Sequence, residues 1–280
     1  MCHILTADHI RGYETHLALE ERSAGTIEKY MRDVRSFFAF LPASKTFDKE
    51  TVIQYKAFLA QKHAVSTVNA MLAAVNGLMS FAGWHECRVK PLKQQRRIYR
   101  DQARELSKAE YMRLLETARA KGKRRLYFLM QTLCATGIRV SELKYITAEA
   151  VKEGRAVVNC KGKARTILLT KRLRHVLRGY CKDNKIHSGP IFITKSGKAM
   201  NRSNIWTEMK SLCSSAGVDK NKVFPHNFRH LFAVTFYSLE KDIAKLADLL
   251  GHASINTTRI YIMQSGSEHI RQIERLGLVV

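Results

Sequence analysis

Residues 225–261 read PHNFRHLFAVTFYSLEKDIAKLADLLGHASINTTRIY. On a helix His226 and Arg229, three residues apart, leave from one face, where an imidazole and a guanidinium can grip the same oxyanion. His252 follows Gly251, a residue suited to end a helix, and Tyr261 follows the polar Thr257-Thr258 pair, suited to begin another. Two helix ends would then carry a second imidazole and a phenol toward the first pair. The hypothesis from this stretch is a phosphate-attacking site with Tyr261 as nucleophile, since cations that stabilise a phenolate allow tyrosine to form a covalent intermediate. Taken singly, a tyrosine on a helix is ordinarily a half-buried packing residue and His-x-x-Arg a solvated face. The proposal therefore needs the rest of the chain.

Working outward, the 280 residues suffice for about two domains. The 48 Lys and Arg against 24 Asp and Glu give a net charge of +24, which names a polyanion as the natural partner without naming an activity. Residues 106–280 hold 32 of the basic and 13 of the acidic side chains, so phosphate contact is expected mainly there. Six cysteines form no Cys-x-x-Cys pair, which points to a reduced, cytoplasmic setting with no zinc module. No apolar run approaches the roughly 20 residues of a membrane span, and the first residues lack a signal-peptide core.

Helical spacing predicts four helices in the first part of the chain. They are 6–19 (Ile10, Tyr13, Leu17), a second opened by Ser23 or Thr26 (Met31, Val34, Phe37), 49–61 (Val52, Tyr55, Leu59) and 66–84 (Val68, Leu72, Val75, Met79). Short connections make these a bundle over residues 1–87. A basic linker, 88–105, follows, in which Arg96 and Arg97 are candidates to track a DNA backbone. Residues 106–280 form the second domain, opened by a Ser107/Glu110 capping box. A nearly all-apolar helix, 126–133, should be central and end at Ala135-Thr136-Gly137. Val157–Cys160 and Thr166–Leu169 read as a hairpin, and Ile191–Ile193 as a further short strand. The fold class is mainly α with a small antiparallel β-sheet.

The segment Ala135-Thr136-Gly137-Ile138-Arg139-Val140-Ser141-Glu142-Leu143, the Lys161 hairpin, His226-x-x-Arg229, Leu250-Gly251-His252 and Tyr261 together resemble the ordered signature of the tyrosine recombinases, the integrase family that includes Xer-type enzymes. The likeness covers the second domain fully, and the first resembles the family's helical, SAM-like core-binding domain more weakly. It implies that Arg139 and Arg229 bind the non-bridging oxygens of the scissile phosphodiester and that Lys161 protonates the departing 5′ oxygen, with Lys163 as rival. His226 would accept or relay the tyrosine proton, His252 would hydrogen-bond a phosphate oxygen, and Glu142 would hold Arg139 or a neighbouring histidine. Lys163, Arg165, Arg96, Arg97 and Thr26 are the further DNA contacts. His230 points about 100° from Arg229 on a helix and is expected to be structural.

The resemblance implies further a specific core site on double-stranded DNA, a 3′-phosphotyrosine, a Holliday junction and a tetramer in which the apolar tail 265–280 docks on a neighbour. No cofactor or metal is expected, because the cations supply the positive field. The few residues before the first helix argue against an arm-binding domain. Competing readings are a topoisomerase-like nicking and resealing enzyme, a regulatory DNA-binding protein of the same fold, and a basic RNA-associated helical protein.

Overall fold

The computed structural model describes residues 2–94, 102–160, 163–261 and 274–276, with the backbone alone at 102, 160 and 163. The chain divides into two compact units, Met1–Arg96 and Arg97–Val280. The first therefore runs beyond the expected boundary at 87.

In the first unit a short strand β1 (His3–Ile4) leads to α1 (Ala7–Leu19) and α2 (Ala24–Phe40). Strand β2 (Thr46–Phe47) pairs antiparallel with β1, and α3 (Lys49–Lys62) and α4 (Val65–Phe81) complete the bundle. The apolar stripes meet in one core, with Phe37, Val52, Tyr55, Val68, Leu72 and Val75 fully buried. Helix α1 starts at Thr6, whose hydroxyl accepts from the His9 backbone while the His9 ring takes the Thr6 amide; Asp48 and Thr51 make the same reciprocal cap on α3. The second helix opens at Ser23, whose hydroxyl bonds that of Thr26 (2.8 Å) instead of capping a backbone amide.

The stretch after α4 is docked. Asn76 accepts from the Val89 amide (2.9 Å) and donates to its carbonyl (2.8 Å), and Asn69 does the same for Leu92 (2.7 and 2.9 Å). The two asparagines lie two helical turns apart on α4, so each meets an extended chain at every third residue. Val89 joins the core, and Lys56 bonds the Lys90 carbonyl at 2.8 Å. Residues 88–92, expected to be linker, thus belong to the bundle. Arg96 and Arg97 lie outside the described residues.

The second unit begins with α5 (Lys108–Ala120), capped reciprocally by Ser107 and Glu110 as the sequence predicts, and α6 (Arg124–Thr136). Helix α7 (Ala148–Glu153) precedes the antiparallel hairpin β3 (Arg155–Cys160) and β4 (Lys163–Leu168). Helices α8 (Lys171–Asp183), α9 (Arg202–Lys210), α10 (Cys213–Ala216), α11 (Pro225–Glu240), α12 (Ile243–Leu250) and α13 (Ile255–Thr258) follow. Helix α6 presents Leu126, Leu129, Met130 and Leu133 to a core shared with α5, α8, α11 and the hairpin. The expected strand at Ile191–Ile193 is reduced to single bridges, Thr147 to Pro190 and Ile193 to Ala199, because the chain turns at Gly197 before a ladder can form. A smaller apolar cluster joins Ala233, Leu246, Leu250 and Tyr261, with Phe232, Phe236 and Tyr237 packed on it.

Candidate active site

Two glycines build the floor of the site. Gly137 ends α6 with φ +61°, and a Cβ there would meet the Phe232 ring at 2.4 Å; Gly251 ends α12 with φ +63°, and a Cβ there would meet the Arg165 chain at 2.4 Å. Both turns need the left-handed region and the missing side chain at once. Each leaves a helix-terminal carbonyl free to accept a hydrogen bond.

Arg229 takes those carbonyls. It lies on the first turns of α11, is 1% exposed, and donates from Nη1 to the Gly137 carbonyl (2.6 Å) and from Nη2 to that of Leu250 (2.8 Å). Nη2 also meets His252 Nε2 at 2.8 Å. An arginine only donates, so Nε2 must accept, which places the His252 proton on Nδ1, facing the Thr258 hydroxyl at 2.7 Å. Burial and the neighbouring Arg229, Arg139 and Arg165 charges push the His252 pKa down to about 4, so this ring is neutral near pH 7. Burial also lowers Arg229, while a hydrogen bond with Tyr261 opposes that shift.

Arg139, two residues after Gly137, opens a 3-10 helix, Val140–Tyr145. Its backbone amide and Nη1 both donate to Glu142 (2.8 and 3.0 Å), and Nη2 reaches the Gly251 carbonyl at 3.4 Å. Glu142 is 2% exposed and also receives Arg165 Nη2, while Arg165 Nη1 donates to the Leu249 carbonyl at 2.8 Å. Burial pushes the Glu142 carboxyl up, but the Arg139 amide and the Arg165 charge outweigh it and hold it below the usual range. One carboxylate thus serves two guanidiniums, and the bonds of Arg229 go to carbonyls and an imidazole that leave its charge unneutralised. An excess of fixed positive charge remains, suited to an anion.

Tyr261 ends a 3-10 turn, Arg259–Tyr261, that follows α13. Helix α13 starts at Ser254, so Thr257 and Thr258 lie at its end instead of its beginning. The Tyr261 ring is 2% exposed and lies among three imidazoles: parallel to His252 (5.9 Å between centres, 9°), and tilted against His226 (6.3 Å) and His230 (5.2 Å). His226 has a solvent-exposed edge, yet burial of its inner side and the neighbouring Arg229 and His230 charges lower its pKa. It is therefore a neutral base near pH 7.

The structure thus brings Arg139, Glu142, His226, Arg229, His252 and Tyr261 together. Arg165 lies inside the same cluster, 14% exposed, and not on an open phosphate-facing surface. Thr26 is half-buried at the start of α2, in the other unit. Lys161 lies outside the described residues, as do the side chain of Lys163 and most of the tail 265–280. Sequence reasoning missed two members. His230, set aside for its helical angle, is the imidazole nearest to Tyr261, and its Nε2 lies 3.0 Å from Glu105. Thr258, read as a helix start, orients His252 from a fully buried position.

Known proteins show the same organisation. The phage integrase family profile matches residues 104–268, and that of the phage integrase N-terminal SAM-like domain matches 10–86. The tyrosine recombinase XerC of Roseiflexus castenholzii is 30% identical over 91% of this chain and 88% of its own, and the tyrosine recombinase XerA of Pyrococcus furiosus is 26% identical over 98% and 96%. Among solved structures, a lambda integrase tetramer bound to a Holliday junction shares the fold with a TM-score of 0.74 at 16% identity, covering 91% of this chain and 76% of that one. XerH bound to its difH substrate gives 0.67 at 20%, covering 90% and 79%. With a profile match over more than half its length, the chain belongs to the phage integrase family of tyrosine recombinases.

Proposed function

We propose that the chain is a site-specific DNA recombinase that cleaves and rejoins strands through a 3′-phosphotyrosine at Tyr261. Arg139 and Arg229 hold the non-bridging oxygens of the scissile phosphodiester, and the Tyr261 oxygen attacks phosphorus as the bond to the 5′ oxygen breaks. The phenol proton passes to His226, which is neutral and able to accept it. The departing 5′ oxygen takes a proton from Lys161. A 5′ hydroxyl from another strand then reverses the step, so the bond energy is kept without a nucleotide cofactor. The observation that supports this reading best is Arg229, a buried guanidinium bonded to His252, whose ring lies parallel to that of the buried Tyr261.

The role given to His252 has a structural condition. Its Nε2 lone pair is occupied by Arg229, so donation to a phosphate oxygen requires Nη2 to turn onto the phosphate and the proton to move to Nε2. The Thr258 hydroxyl serves either tautomer, since it can accept from Nδ1 or donate to it.

The first unit acts as the core-binding domain, the basic residues Lys163, Arg96 and Arg97 contact the DNA backbone, and the working assembly on a core site is a tetramer joined through the C-terminal tail. A suicide substrate nicked near the cleavage point tests the chemistry. Wild-type protein accumulates a covalent protein–DNA adduct, and Tyr261→Phe binds the same DNA and forms none; an adduct with the phenylalanine variant would remove Tyr261 from the reaction.

A further inference from the structure

The N-terminal unit holds a second cluster of reactive side chains that the strand-transfer reading does not use. The His3 ring, the Glu86 carboxylate and the Cys87 sulfur place one donor atom each within 4.8 Å of one another, the one group of its kind among the described residues. His3 Nε2 and Glu86 Oε1 are 2.5 Å apart, and Cys87 is fully buried. The donors come from opposite ends of the bundle, 83 residues apart, so no spacing in the sequence announces them. Both ends are fixed. His3 is paired across the β1–β2 ladder with Phe47, and its ring stacks on Trp84 at 5.1 Å. Glu86 and Cys87 lie on a 3-10 turn closed by the bond from the Cys87 amide to the Trp84 carbonyl.

We propose that His3, Glu86 and Cys87 form a zinc-binding site that fastens the first strand to the turn ending the bundle. A sulfur, an imidazole nitrogen and a carboxylate oxygen make a mixed donor set that suits Zn²⁺ and not the all-oxygen ions Mg²⁺ and Ca²⁺. Tetrahedral zinc sets its ligand atoms about 3.3 to 3.7 Å apart, so the His3–Glu86 contact, 2.5 Å without the metal, opens on binding. Rotation of the Glu86 side chain, which is half exposed, supplies that freedom. Three protein donors leave the fourth position to water. The turn continues directly into Val89, which Asn76 holds, so the metal secures the point where the docked basic segment leaves the bundle. The site is independent of the strand-transfer reading.

The test uses the full-length protein, stripped with a chelator and titrated with Co²⁺ and with Zn²⁺. One equivalent of Co²⁺ should give the absorption of a thiolate-bound tetrahedral ion and quench Trp84, Zn²⁺ should displace it, and a hundredfold excess of Zn²⁺ over its Kd should raise Tm by about 5 °C. His3→Ala and Cys87→Ser should abolish the thiolate band, and Cys2→Ser should keep it. Because Cys87 is a core residue, Glu86→Gln on the surface is the second variant, expected to weaken Co²⁺ binding at least about tenfold. The proposal is overturned by a wild-type protein with no thiolate band, by a band that survives in His3→Ala or at full affinity in Glu86→Gln, or by one lost in Cys2→Ser.

Discussion

In the N-terminal unit Asn69 and Asn76 each give both ends of a neutral amide to an extended backbone, and the one charged side chain buried there among the described residues, Asp33, is paired at its rim with Lys29 and Arg32. In the C-terminal unit Arg229 is buried more deeply than either partner of Asp33 and meets carbonyls and an imidazole. The first arrangement leaves no buried side-chain polar atom of that unit without a partner among the described residues, and its buried carboxylate is countered by cations at the rim. The second leaves the charge, and beside it Arg165 Nε is buried with no hydrogen-bond partner. A packed core satisfies itself; a site that must receive an anion keeps a charge for it, at a desolvation penalty its carbonyl partners offset only in part.

Arg229→Ala is the substitution with the largest expected effect. It removes a phosphate-binding fork and strips the Gly137 and Leu250 carbonyls of their donor, so adduct formation should fall by about 10² to 10³ or more while DNA binding weakens far less. Burst rates on a nicked substrate measure the first and a mobility shift the second. Equal losses in both would make Arg229 a plain DNA-binding residue. Glu142→Gln comes next. It leaves Arg139 and Arg165 facing a neutral amide, and should lower stability by about 2 to 3 kcal/mol, less than a fully buried pair because Arg139 is 45% exposed. Urea midpoints decide it, and an unchanged midpoint would mean that the two guanidiniums hold themselves.

How much of this was legible depends on whether the signal was local. The four helices of the bundle, the Ser107/Glu110 cap and the helix-ending Gly137 and Gly251 could be read because spacing, capping and left-handed turns are properties of neighbouring residues. The family motifs carried Arg139, His226, Arg229, His252 and Tyr261. What stayed hidden lies across the chain. Nothing in the order of residues reveals that Glu142 is shared with Arg165, that Asn76 holds Val89, or that His3 meets Cys87. His230 shows the limit of a single-helix projection: its angle on α11 is as expected, but Tyr261 arrives from another element and meets the neighbouring face. The β1–β2 pair was missed because two residues per strand carry no alternation to read.

Asn76→Ala sharpens the comparison from the other side. It deletes two hydrogen bonds to Val89 and should destabilise the first unit by about 1 to 3 kcal/mol. The site in the second unit does not include it, so adduct formation per DNA-bound molecule should stay within about twofold. Amide exchange at Val89 and Leu92 reads the local effect directly. Undiminished protection there would show that core packing of Val89, and not the amide clamp, holds the segment.

Acid separates the two kinds of burial most cleanly. His252 is held neutral in the folded protein down to about pH 4, whereas in an unfolded chain an imidazole protonates near 6.5. Between those values the unfolded state binds more protons, so this contribution to stability is complete above about pH 6.5 and is lost progressively as pH falls toward 4. Protonation also places a charge on Nε2 against Arg229, whose hydrogen bond then has no acceptor. Lowered His226 and Glu142 act in the same direction, so the wild-type slope alone does not isolate His252. His252→Gln does: its amide oxygen can still accept from Arg229 but does not titrate, and the fall in urea midpoint between about pH 7.5 and 5 should be shallower than in the wild type. Identical slopes would mean that solvent reaches the ring freely and that the positive field of the three arginines does not extend to it.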